Sequence, residues 1–256
     1  MILDQYGKSI ASTSQSRSIR GRFDSAATTD DNRNHWANAD SLSAVAANSA
    51  HVRRRLRERS RYEVANNSYA RGILNTLSAY TVGAGPTLQL TYRGRDASID
   101  QEALRTATQV VEHLWANWAY TRKLAQKLST MQLAIDQDGE AFAMLTSSSR
   151  ASMHTPVQLD VRAYEADHFD DSTSTDDAGV RIDASGEATE YAFQKDHPGD
   201  SYSFGTSDWI SGDQVIHLFR TERPGQLRGI PKTTPALPLF ALLRRFTLAT
   251  ITAAET

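Results

Sequence analysis

Cysteine is missing from this chain of 256 residues, which excludes disulfide bonds and thiolate metal sites and fits a cytoplasmic protein. Three catalytic signatures are missing too: the Gly-x-x-x-x-Gly-Lys-Ser/Thr loop, the His-Glu-x-x-His motif and the Gly-x-Ser-x-Gly turn. No apolar run approaches the roughly 18 residues that cross a bilayer, and the first residues lack the features of a signal peptide. We therefore predict no enzyme activity, no cofactor, no bound metal and no membrane partner.

What the chain does have is a core-forming composition, with 39% hydrophobic residues, and a net charge of -2 that is unevenly distributed. One basic cluster holds six arginines against the single Glu58: Arg53, Arg54, Arg55, Arg57, Arg59 and Arg61. Arginine presents a rigid fork of donors that matches phosphate oxygens, so the cluster indicates a contact with DNA or with carboxylates of a neighbouring subunit. An exposed helix face would have the same pattern. Taken alone, the cluster favours an alternative function, a basic module that binds nucleic acid without sequence preference.

An acidic stretch at 165–177 contains no lysine or arginine. Its candidate interface residues are Asp167, Asp170, Asp171, Asp176 and Asp177. His168 with the aspartates beside it could coordinate a divalent ion, and a metal-dependent hydrolase would be the corresponding function, but we favour a solvated loop. From charge alone, we predict that this stretch faces the arginine cluster of a neighbouring subunit.

The spacing of apolar residues is helical in the first half of the chain and alternating after residue 140. Residues 1 to about 38 are polar and without a clear period, and we predict a flexible arm. Helices are predicted from about Asp40 into the arginine cluster and at 62–80, 98–120 and 124–135, with a strand at 87–92.

Strands are predicted in the second half at 140–146, 157–164, 180–183, 188–193 and 214–219, with an exposed loop at 195–207. His217 lies within the last of these strands and is predicted to be packed or hydrogen-bonded. A final helix at 234–254 is apolar around much of its circumference, which suits burial against other helices or subunits. We therefore predict an α+β fold: an arm at 1–38, helices packed on a mixed β-sheet at 39–231, and the start of a long, truncated helix at 232–256.

The most informative segment follows the strand at 214–219. It is an arginine-rich loop that leads through a Gly-x-Pro step into the final helix, and its marked residues are Arg223, Pro224, Gly225, Gln226, Arg228, Gly229 and Pro231. This order of strand, loop and helix resembles a segment of the portal proteins of tailed bacteriophages, in the lambda-type family. Weaker blocks of the same resemblance are the arginine-rich helix with the residues up to Gly85, the tryptophan-bearing helix followed by Asp138-Gly-Glu-Ala-Phe-Ala-Met, and residues 157–168.

The resemblance implies a ring subunit, in a ring usually of twelve copies, at one vertex of the virion capsid. Such a ring forms the channel for genome packaging and ejection, docks terminase and the head-tail connectors, and lets double-stranded DNA pass without sequence preference. It assembles with the capsid proteins in the host cytoplasm. Residues 40 to about 230 would then be a wing domain, and the final helix would lead towards the stem. Family members are roughly twice this length, so the clip, the second stem helix and the crown would be absent from this chain.

Overall fold

The computed structural model describes residues 30, 33–92, 94, 100–148, 155–170, 179–200 and 205–255. The chain divides into two compact units, Met1–Ser41 and Leu42–Thr256. In the described part of the first unit, residues 33–38 form turns, and the Ala39 N–H donates to the Trp36 carbonyl at 3.0 Å. Most of the predicted arm at 1–38 lies outside the described residues. The arm and the domain bounds therefore stay predictions.

Helices make up most of the described residues in the first half of the chain, as expected. They are α1 (Ala44–Ala47), α2 (Ala50–Asn66), α3 (Ser68–Val82), α4 (Gln101–Thr121), α5 (Leu124–Asp138) and, near the end, α6 (Leu237–Glu255). The side chains of Ser43, Asn67 and Asp100 cap α1, α3 and α4 by accepting hydrogen bonds from N–H groups of the first turn. The single helix predicted at 62–80 is wrong, because Asn67 adopts an extended conformation and separates α2 from α3.

The strands form two three-stranded sheets. The first has the order β2 (Leu159–Tyr164), β1 (Glu140–Ser147), β6 (Val215–Phe219), and the second has the order β3 (Val180–Ile182), β4 (Ala188–Gln194), β5 (Ser207–Ser211). Every pairing in both sheets is antiparallel. The α+β class is thus confirmed, while the single mixed sheet is wrong.

One local prediction also fails, and one strand was missed. Residues 87–92 alternate in sequence but form no strand, because the Leu90 N–H donates to the Glu112 carboxylate of α4 at 2.9 Å instead of to a neighbouring strand. The exposed loop predicted at 195–207 agrees with the described residues up to Thr206, but β5, which pairs with β4 from Ser207 and Gln194 onwards, was not predicted. Both errors concern short segments whose partners are distant in sequence.

An aromatic core joins the two sheets. Phe142 of β1 stacks on Phe169, with ring centroids 5.0 Å apart, and meets Phe193 of β4 edge to face at 5.5 Å. All three rings are buried, as is Tyr191. Such ring pairs contribute roughly 0.5–1.5 kcal/mol each beyond their buried area.

The helices form a layer in which α6 packs on α2, α2 packs on α3 and α5, and α5 packs on α4 and on β1. Arg244 of α6 donates to the buried Glu63 carboxylate of α2 at 2.8 Å, which fixes one side of α6. Within α6 only Leu237 is buried.

The segment Thr234–Glu255 is long and apolar enough to cross a membrane by length and composition, with a mean hydropathy of 1.3 in its best window. The expectation that no segment approaches that length is wrong by this measure. One such helix is weak evidence for a membrane, and Arg244 inside it is already paired with Glu63.

Candidate functional site

The loop that follows β6 folds around one buried amide. Gln226 Oε1 accepts hydrogen bonds from the backbone N–H groups of Glu222, at 2.9 Å, and Arg223, at 3.2 Å. Its Nε2 donates to the Arg228 carbonyl at 2.7 Å. The side chain of Gln226 therefore holds both halves of the loop. Arg223, Pro224 and Gly225 lie exposed at its tip, where Gly225 has a φ of 74°.

The buried half of the loop ends at a carboxylate. Arg228 donates from Nε to Glu140 Oε2 at 2.8 Å and from Nη2 to Oε1 at 2.6 Å, and the Gly229 N–H donates to Oε2 at 3.2 Å. His217 of β6 lies 3.2 Å from the same Oε2 through Nε2, so the Nε2–H tautomer donates a further bond. Glu140 and Arg228 are 0% and 2% exposed. A bidentate pair this deeply buried is stable only because its remaining hydrogen-bonding positions are also filled.

The electrostatics of this pair follow from its surroundings. Burial alone would raise the pKa of Glu140, but the Arg228 guanidinium and the His217 hydrogen bond outweigh it and hold that pKa well below its usual range. Burial lowers the pKa of His217, and the attraction of Glu140 does not reverse this. At neutral pH we therefore assign an ionised Glu140 and a neutral His217 that still donates its Nε2–H.

Aromatic rings cover the arginine. The Arg228 guanidinium carbon lies 4.0 Å from the ring centroid of Phe169 and 5.6 Å from that of Phe142. His217 stacks on Phe142 at 4.3 Å. Cation–π attraction of this kind strengthens when water is excluded, so the charged pair is part of the aromatic core that joins the two sheets.

The arginine cluster reaches the same place from α2. A helix repeats every 3.6 residues, so the six arginines divide between two faces. Arg53 and Arg57 are each 3% exposed and face inwards, whereas Arg54, Arg55 and Arg59 are exposed. All six arginines were offered by the sequence as possible contacts with DNA or a neighbouring subunit; Arg53 and Arg57 are buried within the chain, and the contact itself stays a prediction. Arg53 donates to the Asn48 carbonyl within the chain.

Arg57 and Arg61 connect α2 to α5, to β1 and to the short helical turn Ala166–His168. Arg57 lies 3.8 Å from Glu140 Oε1 and 3.4 Å from Asp167 Oδ1. Arg61 donates to both carboxylate oxygens of Asp138, at 2.9 and 2.7 Å, and lies 2.6 Å from Asp167. Burial would lower the pKa of Arg61, but the two aspartates raise it above its ordinary value. The buried charge network therefore comprises Arg57, Arg61, Asp138, Glu140, Asp167, His217 and Arg228.

The acidic stretch contributes to this network within its own chain. The sequence predicted that Asp167 would face the arginines of a neighbour, and in the structure it pairs with Arg57 and Arg61 of the same chain. Asp170 is buried and accepts a hydrogen bond from Ser207. Asp171, Asp176 and Asp177 lie outside the described residues, so their role at an interface stays a prediction, as does that of the exposed arginines.

One group among the described residues has the composition of a metal site: ligand atoms of Glu165, Asp167 and His197 lie within 4.8 Å of one another. His197 Nδ1 accepts a hydrogen bond from the Gly199 N–H at 3.0 Å, so the neutral ring carries its proton on Nε2. That proton faces Glu165, whose Oε2 is 3.5 Å away. Because a protonated nitrogen cannot bind a metal, and because Arg61 already occupies Asp167, we assign no metal to this group.

Sequence reasoning missed Glu140, the residue on which the network converges. The available signal was an acidic residue at the first position of an otherwise apolar strand, directly after a glycine. The sequence predicted that His217 is packed or hydrogen-bonded, and the structure confirms this. It also marked Gln226, Arg228 and Gly229 by resemblance, without a structural role.

The network joins the helical layer, the first sheet and the loop after β6, and its charged residues pair with one another. The chain matches the model of the lambda family of phage portal proteins over residues 30–256, and it belongs to that family. A search of curated proteins gave no significant match. Family membership gives it a phage portal role at the capsid vertex of the virion and implies a homo-oligomeric ring that associates with capsid and terminase.

Proposed function

We propose that this chain is the ring-forming part of a portal subunit, through whose channel the genome is packaged and ejected. The observation that carries this proposal is the family match over residues 30–256. In the proposed assembly twelve copies form the ring, as the family resemblance implies, and terminase and the head-tail connectors dock on it. Assembly takes place in the host cytoplasm.

The distribution of buried and exposed residues supports this assignment of parts. Residues 39–231 contain the buried charge network and would form the wing. Residues 232–256 contain α6, whose apolar side chains are mostly exposed in the single chain. An apolar helix of this length exposed to water is an interaction surface, which fits the start of a stem surrounded by other helices.

A channel must let any sequence pass, so base-specific contacts would hold the genome in place. The exposed Arg54, Arg55 and Arg59 suit contacts with the phosphate backbone or with a neighbouring subunit. Arg55 also pairs with Glu58 at 3.3 Å on the exposed face. Since Arg53 and Arg57 are buried, the alternative of a basic nucleic-acid-binding module has fewer exposed cations than the sequence suggested.

The test is to express the protein in host cells infected by a phage that lacks its own portal gene. We expect electron microscopy of the purified protein to show rings with a central channel, and we expect the gene to restore packaged DNA in the capsids. Monomers that bind duplex DNA in a salt-dependent manner, without rings and without restored packaging, would support the alternative module. Tight binding to one DNA sequence would contradict the portal proposal.

A further inference from the structure

An apolar stripe runs along the outer side of α6. Leu239, Leu242, Leu243 and Phe246 are 65%, 57%, 41% and 69% exposed. Their spacing of i, i+3, i+4 and i+7 places them on one face, opposite the side where Arg244 pairs with Glu63 of α2. This α6 stripe is therefore a convex apolar ridge with no partner in the described part of the chain.

A concave surface of matching polarity lies on α4. The segment at 84–88, the second half of α4 and the start of α5 enclose a groove of about 1000 Å³. Small and apolar residues form much of its lining, among them Pro86, Leu88, Trp115, Ala116 and Ala119. Because alanines line the α4 wall, side chains of another helix have room to enter this α4 groove. The i, i+3, i+4, i+7 pattern is the one with which a helix fills such a groove.

The two surfaces lie at opposite edges of the helical layer. α6 packs on α2, α2 packs on α3 and α5, and α5 packs on α4. A cyclic ring is built from a heterologous contact, in which one face of each copy meets a different face of the next. A ridge at one edge and a groove at the other meet that requirement, whereas two ridges or two grooves would favour a two-fold dimer.

The exposed area of α6 is of the right order for a protein partner. The four exposed side chains of the α6 stripe leave on the order of 400 Å² uncovered, against roughly 800 Å² that each partner buries in a specific interface. The α6 stripe thus supplies about half of the surface that a stable contact between two copies needs. A small molecule in the α4 groove would leave this ridge uncovered.

We propose that the α6 stripe of one copy docks in the α4 groove of the next copy around the ring. This inference rests on the proposed portal function and adds to it the two surfaces that meet. It gives α4 a role in assembly that neither its sequence pattern nor its fold position suggested.

The absence of cysteine from the chain allows a direct test by disulfide cross-linking. Ala116→Cys places a thiol in the α4 groove, and Leu242→Cys places one on the α6 stripe; both positions are exposed. We expect an oxidised mixture of the two single variants to give a dimer with one copy of each as its main cross-linked product. The double variant should give a ladder of higher multimers. Leu159→Cys, on the exposed edge of β2, replaces Leu242→Cys in the control mixture and should give no such product.

Each other outcome overturns the contact. A dimer of Leu242→Cys with itself would show that α6 packs against α6 of a second copy. Absence of the mixed dimer would show that something else covers the stripe. The portal function is judged separately by electron microscopy: rings without the mixed disulfide leave that function intact and refute only these two surfaces. Absence of rings together with loss of packaging would refute the function itself.

Discussion

Gly139 and Gly229 lie backbone to backbone, at the point where the loop after β6 crosses the start of β1. A β-carbon on Gly229 would overlap the Gly139 carbonyl, and one on Gly139 would come within 2.7 Å of the Pro231 nitrogen. Gly139 also has a φ of 94°, which favours glycine. This close approach brings the Gly229 N–H within reach of Glu140 and so sets the position of the neighbouring Arg228.

Gly229→Ala should destabilise the fold, because the backbone of Gly139 cannot move aside without displacing Glu140. Overpacking of this kind costs about 1–3 kcal/mol, and more where backbone must move. Gly72→Ala is the matched control, since Gly72 lies in α3 with open space around it and should gain about 0.5–1 kcal/mol in helix propensity. Urea unfolding of both variants measures the difference. Equal stability of the two would contradict the close approach.

Removal of Arg228 should leave Glu140 charged and buried. We expect Arg228→Met to lower the free energy of unfolding by about 3–5 kcal/mol, the usual cost of breaking a buried pair. The double variant with Glu140→Gln should lose less than the sum of the single losses, because the two residues interact directly. Arg55→Met, which breaks the exposed pair with Glu58, should cost about 0.5 kcal/mol or less. Additive losses at positions 140 and 228 would be inconsistent with the pair.

His217 should make stability fall as pH falls. Its pKa is lower in the folded chain than its ordinary value of 6.5, so the unfolded chain binds the proton first. Stability is therefore complete above about pH 6.5 and is lost as pH falls from there towards the folded pKa. His217→Gln keeps a donor for Glu140 and removes the titration, so its melting temperature should depend less on pH in that window. His168→Gln provides a second variant whose pH dependence can be compared with that of His217→Gln, because burial also lowers the pKa of His168. An unchanged pH dependence in His217→Gln would refute the assignment.

The two faces of α2 should respond differently to the same substitution. Arg57→Met removes a buried cation and should cost about 2 kcal/mol or more, whereas Arg54→Met should stay within about 0.5 kcal/mol of the parent. Urea unfolding distinguishes them.

Charge reversal tests the interface prediction that remains. Replacing Arg54, Arg55 and Arg59 together by glutamate should leave the fold intact and weaken ring assembly, because only exposed arginines can reach a neighbour or DNA. Circular dichroism checks the fold and electron microscopy checks the rings. Normal rings from this variant would rule out a contact through the exposed face of α2.

How far the sequence predicted this protein depended on where each segment finds its partners. Helix α4 was predicted nearly to its ends because its periodicity and the cap at Asp100 are local signals. The strand predicted at 87–92 is wrong because no neighbouring strand pairs with this segment. The Leu90 N–H donates a hydrogen bond to the Glu112 carboxylate instead. The break at Asn67 was missed because asparagine is tolerated inside a helix as well as at its start.

The arginine cluster shows the same limit for the site. Its composition was compatible with phosphate, with carboxylates of a neighbouring subunit or with an exposed helix face, and the sequence could not choose among them. Arg57 and Arg61 find Asp167 in their own chain, although more than a hundred residues separate them along the sequence. Glu140 was missed because its role depends on Arg228 and His217, which lie far from it in the sequence. A single acidic residue at the edge of an apolar strand does not indicate such partners.

The sequence by itself determined the α+β class, most helix positions and the family, because periodicity, caps and a characteristic loop are written in neighbouring residues. Only the tertiary structure decided that Gln226, Arg228 and Gly229 hold the loop on Glu140, and that Arg53 and Arg57 of the basic cluster are buried. The physical reason is that a buried charge is stable only beside its counter-charge, and that proximity is set by packing between segments distant in sequence.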